Sequence, residues 1–496
     1  MHGVSPKFAR TPLTRGWIAA IALVGLAGLA LRALGFSLYD IGYSDELMQY
    51  LEQANRLVTG HGIVPWESRE GLRNALIPQL LAPAVALGHW LAPGTLLHVG
   101  LARAWFLLLT MVALPGGWKL GSLHSRVAGL VALTVAAVWW ESVLFSEFML
   151  SESLGAALML AGAGWLLDPG TERWKWAVSG FLIGLAVLVR LQFGAFALVL
   201  LVAALRLDGQ RWLPVAGGGL VALALGAVSD LIAGMVPFSW VAVTLTVNLG
   251  EGVAARFGTA PATAYLPMLM QHLFPFTIPI AVAAFFAGPR YRPLLLAALA
   301  NLLVHSLIAH KEYRFVWLTT LSLLLLASIA SARLAERFVA RRRPLWVAGL
   351  PIALVLCGVW GLASFWADRM TGGARAYRGG GAVARLADRA ARNPAICGVA
   401  LPYEYKSHVV PALLAVPKPL ALIPEGVMAG SQPLPDGITA VANALLLSRD
   451  ARVPAPYRRI ACDSGASGFP CLYTWAGTCR ADPAFGYQAV LQRNDL

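Results

Sequence analysis

The sequence has little charge for its length. Only 13% of its 496 residues are Asp, Glu, Lys or Arg, while 58% are hydrophobic and the mean hydropathy is +0.66. A soluble domain carries roughly 25% charged residues, so the composition excludes an ordinary soluble protein. Apolar runs of ~16–20 residues recur as far as Trp366, and such runs approach the length that crosses a membrane. The chain is therefore predicted to be an all-α polytopic membrane protein.

Several motifs of common enzyme classes are missing. The sequence contains no Gly-rich phosphate loop and no Asp-x-Asp motif, and these are usual ways of holding a nucleotide or its metal ion. None of the five cysteines belongs to a Cys-x2-Cys pair, the tight spacing of many structural zinc sites. We therefore predict neither a metal nor a cofactor.

Basic residues outnumber acidic ones, 39 to 25, and the net charge is +14. Lys and Arg collect in the cytoplasmic loops of membrane proteins, so the excess does not require nucleic acid as a partner. About eleven spans place a basic group in every cytoplasmic loop, with the N-terminus inside and the C-terminus outside. The predicted spans are residues 17–34, 100–117, 127–144, 152–167, 174–189, 191–205, 214–229, 273–288, 293–309, 315–332 and 345–366.

One apolar segment is left out of this count. Leu76–Leu91 contains Pro78 and Pro83, and proline in a helix interior removes a hydrogen bond and bends the chain. We predict that this segment is a helix at the membrane surface. Counting it as a span would move the later basic clusters to the outside, against the charge bias.

Two domains are predicted, residues 1–366 in the membrane and residues 367–496 outside the cytoplasm. Pro, Gly and polar residues return in the second domain, which also holds four of the five cysteines, Cys397, Cys462, Cys471 and Cys479. An even number of cysteines in an oxidising compartment predicts two disulfides, with three possible pairings. The alternative is that these are unpaired buried thiols.

The first outer loop, about residues 36–99, begins with an unusual acidic pair. Asp45 and Glu46 follow Ser44 at the predicted start of a helix that runs to about Val58. Ser44 suits an N-cap, and the helix dipole favours carboxylates in the first turn, so the pair could serve only to start the helix. A carboxylate at the membrane edge is costly and tends to be functional. Asp45, Gln49, Glu52 and Arg56 are predicted to share a polar face beside Leu47, Tyr50, Leu51 and Leu57.

A second polar stretch, His310–Trp317 with the sequence HKEYRFVW, joins two predicted spans. Lys311 and Arg314 are cations on the outer side, against the charge bias, and they need an anionic partner. Glu312 could be that partner, or a lipid phosphate could be. Arg190 stands alone between two apolar runs and also needs a partner.

Together these residues resemble the mannosyltransferases that build glycosylphosphatidylinositol anchors and lipid-linked oligosaccharides. The first loop is similar to theirs in an Asp-Glu pair, a Gly-x-Gly step, a Pro-Trp-Glu step and an Arg before a proline. HKEYRF is similar to their His-Lys-Glu-x-Arg-Phe motif. A third segment resembles theirs in Asp230, Asn248 and Phe257–Leu266. Residues 145–153 depart from the family pattern, since Glu147 and Glu152 stand where an Arg-Thr-x-Ser-Asn motif is usual.

The resemblance implies the class C glycosyltransferase fold and inverting transfer of a sugar, most simply mannose, from a polyprenyl phosphate to a hydroxyl of a lipid- or glycan-linked acceptor. It implies Asp45 or Glu46 as the catalytic base. Arg190, His310, Lys311 and Arg314 are expected to bind the donor phosphate, because they lie on the outer side against the charge bias and the last three belong to the HKEYRF motif. The residues expected to orient substrate are Glu147, Asp230, Glu312, Trp66 and Arg73. A bacterial relative in the inner membrane, with its active site facing the periplasm, is expected.

Two alternatives stay open at this stage. A lipid or sugar flippase or transporter would spread polar residues through its spans or show repeated, broken helices, and we find no internal repeat. Another class C transferase could use a different sugar or a protein acceptor, because loop shape determines both choices.

The topology gives a first testable prediction. A reporter that fluoresces only in the cytoplasm, fused after Leu496, should stay dark, because eleven spans carry the chain from the inside to the outside. A fusion before Arg15 that remains bright is the matched control. A bright C-terminal fusion would show that the spans are miscounted, first of all at Leu76–Leu91.

Overall fold

The computed structural model describes residues 12–170, 172–340, 344–403, 409–424, 427, 432–463 and 470–494. Some basic residues of the predicted cytoplasmic segments lie outside these ranges, namely Lys7, Arg10, Arg341, Arg342 and Arg343, and so does the fusion site Leu496.

Most of the described chain is helical. The helices, in chain order, are α1 (Arg15–Gly35), α2 (Glu52–Thr59), α3 (Trp66–Arg69), α4 (Leu76–Leu91), α5 (Leu97–Thr110), α6 (Ala113–Ser122), α7 (Arg126–Val138), α8 (Trp140–Glu147), α9 (Ser151–Leu166), α10 (Arg173–Val189), α11 (Gly194–Leu205), α12 (Gly209–Ile232), α13 (Ser239–Leu245), α14 (Tyr265–Leu273), α15 (Thr277–Phe285), α16 (Arg292–Leu307), α17 (Trp317–Ala340), α18 (Leu345–Thr371), α19 (Gly373–Tyr377), α20 (Gly381–Ala391), α21 (Asp436–Val441) and α22 (Tyr487–Arg493). The strands are β1 (Val399–Pro402), β2 (Leu420–Ile423), β3 (Ala444–Leu447), β4 (Arg458–Cys462) and β5 (Cys471–Thr474).

The chain folds into two compact units. The first unit comprises Met1–Phe36 and Leu107–Ala374, and the second comprises Ser37–Phe106 and Arg375–Leu496. Most of the first outer loop thus belongs to the same unit as the C-terminal residues. The domain bounds drawn from the sequence, 1–366 and 367–496, stay a prediction.

Several helices are long and apolar enough to cross a membrane. Among the described residues five segments qualify, or up to seven if each of two bent helix pairs counts as one span. Other predicted spans form helices of 16 or 17 residues, such as α9, α10 and α16, which are short for ~30 Å of hydrocarbon. The membrane character is confirmed, and the number eleven remains a prediction.

The first unit contains a sharp break that a buried arginine supports. Helices α7 and α8 meet at an angle of 53°, which leaves carbonyl groups at the end of α7 without helical partners. Arg32 of α1 donates to the carbonyls of Ala136 and Ala137 at 3.2 and 2.7 Å and to that of Ser142 at 3.1 Å. Unsatisfied carbonyls are costly away from water, so this guanidinium compensates for the break.

The second unit contains a five-stranded sheet in the order β2-β1-β3-β5-β4. The first three of these strands are parallel, and β5 pairs antiparallel to β3 and β4. Every residue of β1, β2 and β3 is buried, as expected for parallel strands covered on both faces. The all-α prediction did not include this sheet, because its three parallel strands are short apolar runs without alternation.

Two disulfides lie in this unit, as predicted. Cys397 pairs with Cys479, and Cys462 pairs with Cys471. The second bond joins directly opposed residues of β4 and β5. Sequence reasoning left three pairings open, and the packing of the strands selects this one.

The helix after the acidic pair differs in detail from the prediction. It starts as a π-helix, Glu46–Leu51, before α2 begins, and Ser44 is already helical. The capping role predicted for Ser44 is wrong, since Glu46 Oε1 instead accepts the backbone N–H groups of Gly42 and Tyr43 at 2.5 and 3.3 Å. The π-turn also shifts the helical faces. Leu57, predicted to lie on the apolar face of this helix, is 53% exposed.

Glu52 joins the first loop to the C-terminal part of the second unit. Its carboxylate is fully buried and accepts the N–H of Ile63 at 2.7 Å and that of Ala412 at 2.9 Å. Gly62 passes so close that a Cβ there would meet Glu52 Oε1 at 2.3 Å, which explains one glycine of the Gly-x-Gly step. Burial raises the pKa of Glu52 to about 7, although the two N–H donors and Arg56 oppose the shift.

The raised pKa of Glu52 predicts a pH-dependent stability. A folded-state pKa near 7, above the ordinary value of 4.5, means that the folded chain binds more protons between these values, so stability falls as pH rises through this window. The loss should reach at most roughly 3 kcal/mol. Glu52→Gln should flatten this slope in thermal melts of the purified protein from pH 5 to 8. Glu172→Gln, at an exposed site, is the control, and parallel slopes for all three proteins would contradict the prediction.

Candidate active site

The turn between α16 and α17 carries the motif HKEYRF, residues 310–315. Helix α16 ends at Leu307, and a single 3-10 turn, Tyr313–Val316, leads into α17. Glu312 before this turn has an extended backbone, with φ −130° and ψ 147°. The change from extended to helical backbone sends adjacent side chains in different directions, so one short segment supplies two buried clusters.

Glu312 pairs with its own neighbours in the turn. Arg314 donates through Nε and Nη2 to the two carboxylate oxygens of Glu312, both at 2.9 Å. His310 Nε2 lies 3.1 Å from Glu312 Oε1. Burial opposes the charged form, but Arg314 and His310 lower the pKa of Glu312 to about 2. The hydrogen bond to Glu312 raises the pKa of His310. Glu312 is therefore ionised at neutral pH.

Glu152 brings Arg190 and Arg314 together. Glu152 Oε1 lies 3.2 Å from Arg190 Nη2 and 3.6 Å from Arg314 Nε. All three side chains are buried. The guanidinium carbons of both arginines also lie near the Phe315 ring, 5.0 and 5.2 Å from its centre, within the range of cation–π attraction. We call Arg190, Arg314, Glu152, Glu312 and Phe315 the arginine cluster.

The arginine cluster contains two of the predicted phosphate ligands and one residue that the prediction missed. Arg190 reaches it because α10 ends at Val189 and the extended backbone of Arg190 separates α10 from the next turn. Glu152 was noted in the sequence only as a departure from the family pattern. Its position one residue inside α9, in a predicted span, was the signal that could have identified it.

Lys311 has a different environment from that predicted. Its ammonium is largely buried and donates to the carbonyl oxygens of Ala260 and Ile308 at 3.0 and 2.5 Å. These contacts fold the turn against residues 258–260, where His310 Nδ1 also lies 3.0 Å from the carbonyl of Gly258. Lys311 thus holds the loop in this structure.

A second buried cluster in the first unit was missed by sequence reasoning. Glu141 is fully buried, accepts the Trp139 indole N–H at 3.0 Å and accepts the Tyr313 hydroxyl. His272 Nδ1 lies 3.6 Å from Glu141 Oε1, and its ring stacks on the Tyr313 ring with centres 3.5 Å apart. We call Glu141, His272 and Tyr313 the Glu141 cluster. The available signal was an acidic residue within the predicted span 127–144.

Glu147 and Asp230, predicted to orient substrate, have local contacts. Asp230 near the end of α12 accepts the N–H of Phe238 at 2.8 Å and the indole N–H of Trp240 at 3.1 Å. Glu147 is the last residue of α8, and its charge acts on Arg32. Among the described residues, no group of three or more His, Cys, Asp or Glu is arranged to hold a metal ion.

The second unit holds the predicted base and two predicted orienting residues. Asp45 is half-buried at the start of the π-helix, beside the fully buried Glu46. Trp66 is the first residue of the short α3. Its neighbour Glu67 accepts the side-chain N–H of Gln49 at 2.6 Å and lies 4.0 Å from Arg73. The structure thus brings the Pro-Trp-Glu step, Arg73 and the acidic helix together in one unit.

Comparison with known families agrees with these features. The model of the Alg9-like mannosyltransferase family matches residues 24–378, which include the acidic pair, the arginine cluster and the Glu141 cluster. The chain belongs to this family.

The curated proteins that this chain resembles are named as mannosyltransferases. The chain is 27% identical to GPI mannosyltransferase 3 of Yarrowia lipolytica, over 55% of each of the two chains. It is 27% identical to GPI alpha-1,2-mannosyltransferase 3 of Mus musculus, over 63% of this chain and 59% of that one. The human protein of the same name is 26% identical over 58% of this chain and 54% of its own. The chain thus spans a little over half the length of these relatives.

Similarity to two solved structures shows the fold of this chain. The crystal structure of ArnT from Cupriavidus metallidurans bound to undecaprenyl phosphate matches 95% of this chain and all of that chain, with a TM-score of 0.57 and 14% identity. The apo structure matches with a TM-score of 0.56 and 15% identity, over 92% of this chain and 97% of that one. The predicted class C glycosyltransferase fold is therefore confirmed.

The shared carboxylate of the arginine cluster gives a stability prediction. Glu152→Gln leaves Arg190 and Arg314 with Glu312 as the remaining carboxylate of the cluster. Breaking a buried ion pair typically costs ~3–5 kcal/mol. We therefore expect the Glu152→Gln variant, purified in detergent, to have a clearly lower melting temperature than the unmodified protein. Glu172→Gln, an exposed site in the same unit, should change the melting temperature little. Equal melting temperatures for the two variants would show that Glu152 does not hold the cluster together.

Proposed function

We propose that this protein is a membrane mannosyltransferase that moves a mannosyl group from a polyprenyl-phosphate donor to a hydroxyl of a lipid- or glycan-linked acceptor. The observation that carries the proposal is the arginine cluster. Two buried guanidiniums, held by the Glu152 carboxylate and the Phe315 ring, lie at the motif that the chain shares with mannosyltransferases. Arginine presents a planar fork of donors that suits a phosphate.

The donor class is supported from two sides. The relatives carry mannosyltransferase names, and the ArnT crystal structure contains undecaprenyl phosphate. A lipid-linked sugar carries its own activation, since the phosphate is the leaving group. The proposal therefore assigns no cofactor and no metal to the reaction.

The proposed chemistry is a single displacement. The acceptor oxygen forms a bond to the anomeric carbon of mannose while the bond from that carbon to the phosphate oxygen breaks. The proton of the acceptor hydroxyl goes to Asp45, with Glu46 as the alternative base. The bond electrons leave with the polyprenyl phosphate, whose developing charge Arg190, Arg314 and His310 stabilise. One displacement inverts the anomeric configuration.

Asp45 is the better base of the acidic pair. Asp45 is half-buried, so an acceptor hydroxyl can reach it, whereas Glu46 is fully buried and one of its oxygens already accepts two backbone N–H groups. Glu46 accordingly shapes the loop at the start of the π-helix, next to Asp45.

The proposed location is the inner membrane of a bacterium, with the active site on the periplasmic side. The two disulfides of the second unit support an oxidising compartment. A flippase or transporter is a weaker candidate, because the matching family is one of mannosyltransferases.

The proposal is tested by a transfer assay. Purified protein in lipid discs is incubated with radiolabelled polyprenyl-phosphate mannose and a panel of hydroxyl-bearing membrane lipids. Asp45→Asn should lower transfer ~10²-fold or more, the scale of a lost general base. Asp208→Asn, which alters an exposed helix cap, should transfer normally.

Two results would contradict parts of the proposal. Near-normal sugar transfer by Asp45→Asn would exclude Asp45 as the base and leave Glu46 as the candidate. Transfer from a different polyprenyl-phosphate sugar, with none from mannose, would keep the reaction class and overturn the donor.

A further inference from the structure

The Glu141 cluster is a costly feature that packing alone does not require. Glu141 has no exposed surface and Tyr313 is 5% exposed. A buried carboxylate within a membrane protein is expensive and is usually retained for function. The cost of burying Glu141 is offset by hydrogen bonds from the Trp139 indole and the Tyr313 hydroxyl and by the nearby His272.

The cluster gathers residues from two helix breaks. Glu141 lies in the first turn of α8, just after the 53° bend from α7. His272 lies in the last turn of α14, just before a 108° bend into α15. Both residues are therefore at helix ends, whose positions depend on tertiary contacts more than those of helix interiors.

Tyr313 links this cluster to the arginine cluster through one peptide bond on each side. Its neighbours in the chain, Glu312 and Arg314, pair with each other, and Arg314 also lies against Glu152. Tyr313 itself points to Glu141 and stacks on His272. A fixed Tyr313 side chain therefore restrains the backbone from which the Arg314 guanidinium extends.

We propose that Glu141, His272 and Tyr313 are positioning residues that set the place of Arg314 for a phosphate-bearing lipid, without touching that lipid. The hydroxyl of Tyr313 fixes the direction of the ring through Glu141, and the imidazole of His272 fixes its plane. The inference rests on the proposed function, in which Arg314 binds the donor phosphate. A small displacement of a positioned group can lower its contribution by ~10²-fold, so the support behind the arginine is as important as its charge.

The test is a double-mutant cycle on lipid binding. The dissociation constant of undecaprenyl phosphate is measured for the full chain in detergent, for Tyr313→Phe, for Arg314→Ala and for the double variant. Tyr313→Phe removes one hydroxyl and keeps the stacked ring. We expect ~5- to 10-fold weaker binding for Tyr313→Phe, and ~10- to 100-fold for Arg314→Ala, the scale of a charged hydrogen bond. The double variant should bind like Arg314→Ala alone, because a positioning residue has no effect once its target is gone.

The control variant is Tyr291→Phe. Tyr291 is also buried in the first unit, where its hydroxyl donates to the carbonyl of Leu120, outside both clusters. It should bind the lipid like the unmodified protein. Melting temperatures of all variants are recorded, so that a loss of folded protein is not mistaken for a loss of affinity.

Glu141 variants separate geometry from charge. Glu141→Gln keeps groups that can bond to the Tyr313 hydroxyl and the Trp139 indole, so it should bind within ~2-fold of the unmodified protein. Glu141→Ala removes both contacts and should resemble Tyr313→Phe. Tighter binding by both Glu141→Gln and Glu141→Ala would show that the negative charge of Glu141 acts on the anionic lipid directly, since like charges repel, and would overturn the positioning role.

The remaining outcomes distinguish the inference from the proposed function. The inference alone would be overturned if the losses of affinity of the two single variants multiplied in the double variant. It would also be overturned if Tyr313→Phe bound the lipid normally while Arg314→Ala bound it weakly. Unchanged binding by Arg314→Ala would overturn both the inference and the assignment of Arg314 to the donor phosphate.

Discussion

The ion pairs around Glu152 are the interaction on which the candidate site depends. One carboxylate, buried in the first unit, lies beside two guanidiniums that come from distant parts of the chain. Without Glu152, the Glu312 carboxylate, which pairs with Arg314, would be the one acidic group left in the arginine cluster, and breaking a buried ion pair is costly. Glu152 therefore holds Arg190 and Arg314 next to each other at the turn, in the arrangement that we propose binds the donor phosphate.

Interrupted helices supply the polar groups of the first unit. The bend between α7 and α8 exposes carbonyls that Arg32 caps, and it places Glu141 at a helix start. The bend after α14 places His272 at a helix end. Irregular backbone inside a membrane protein is tolerated where side chains satisfy its polar groups. These breaks are thus part of the site's construction, because continuous helices would point the same residues elsewhere.

The second unit depends on a comparable buried carboxylate. Glu52 joins the loop that begins with the acidic pair to the backbone at Ala412, far away in the sequence. Gly62 makes room for this contact. The position of Asp45 is consequently coupled to the C-terminal part of the chain, and a pKa of about 7 for Glu52 makes that coupling sensitive to pH.

The sequence by itself determined the membrane character, the class C fold and the two disulfides, and it predicted Arg190, Glu312 and Arg314 as site residues. Composition, charge bias and the HKEYRF motif can be read from the sequence without coordinates. Only the tertiary structure decided that Glu152 unites the arginines, that Lys311 bonds to carbonyls, that Glu141 and His272 support Tyr313, and that short apolar runs form a sheet. The physical reason is that partners of buried charges come from distant segments, and helix breaks and strand pairing, which no local pattern encodes, bring them together.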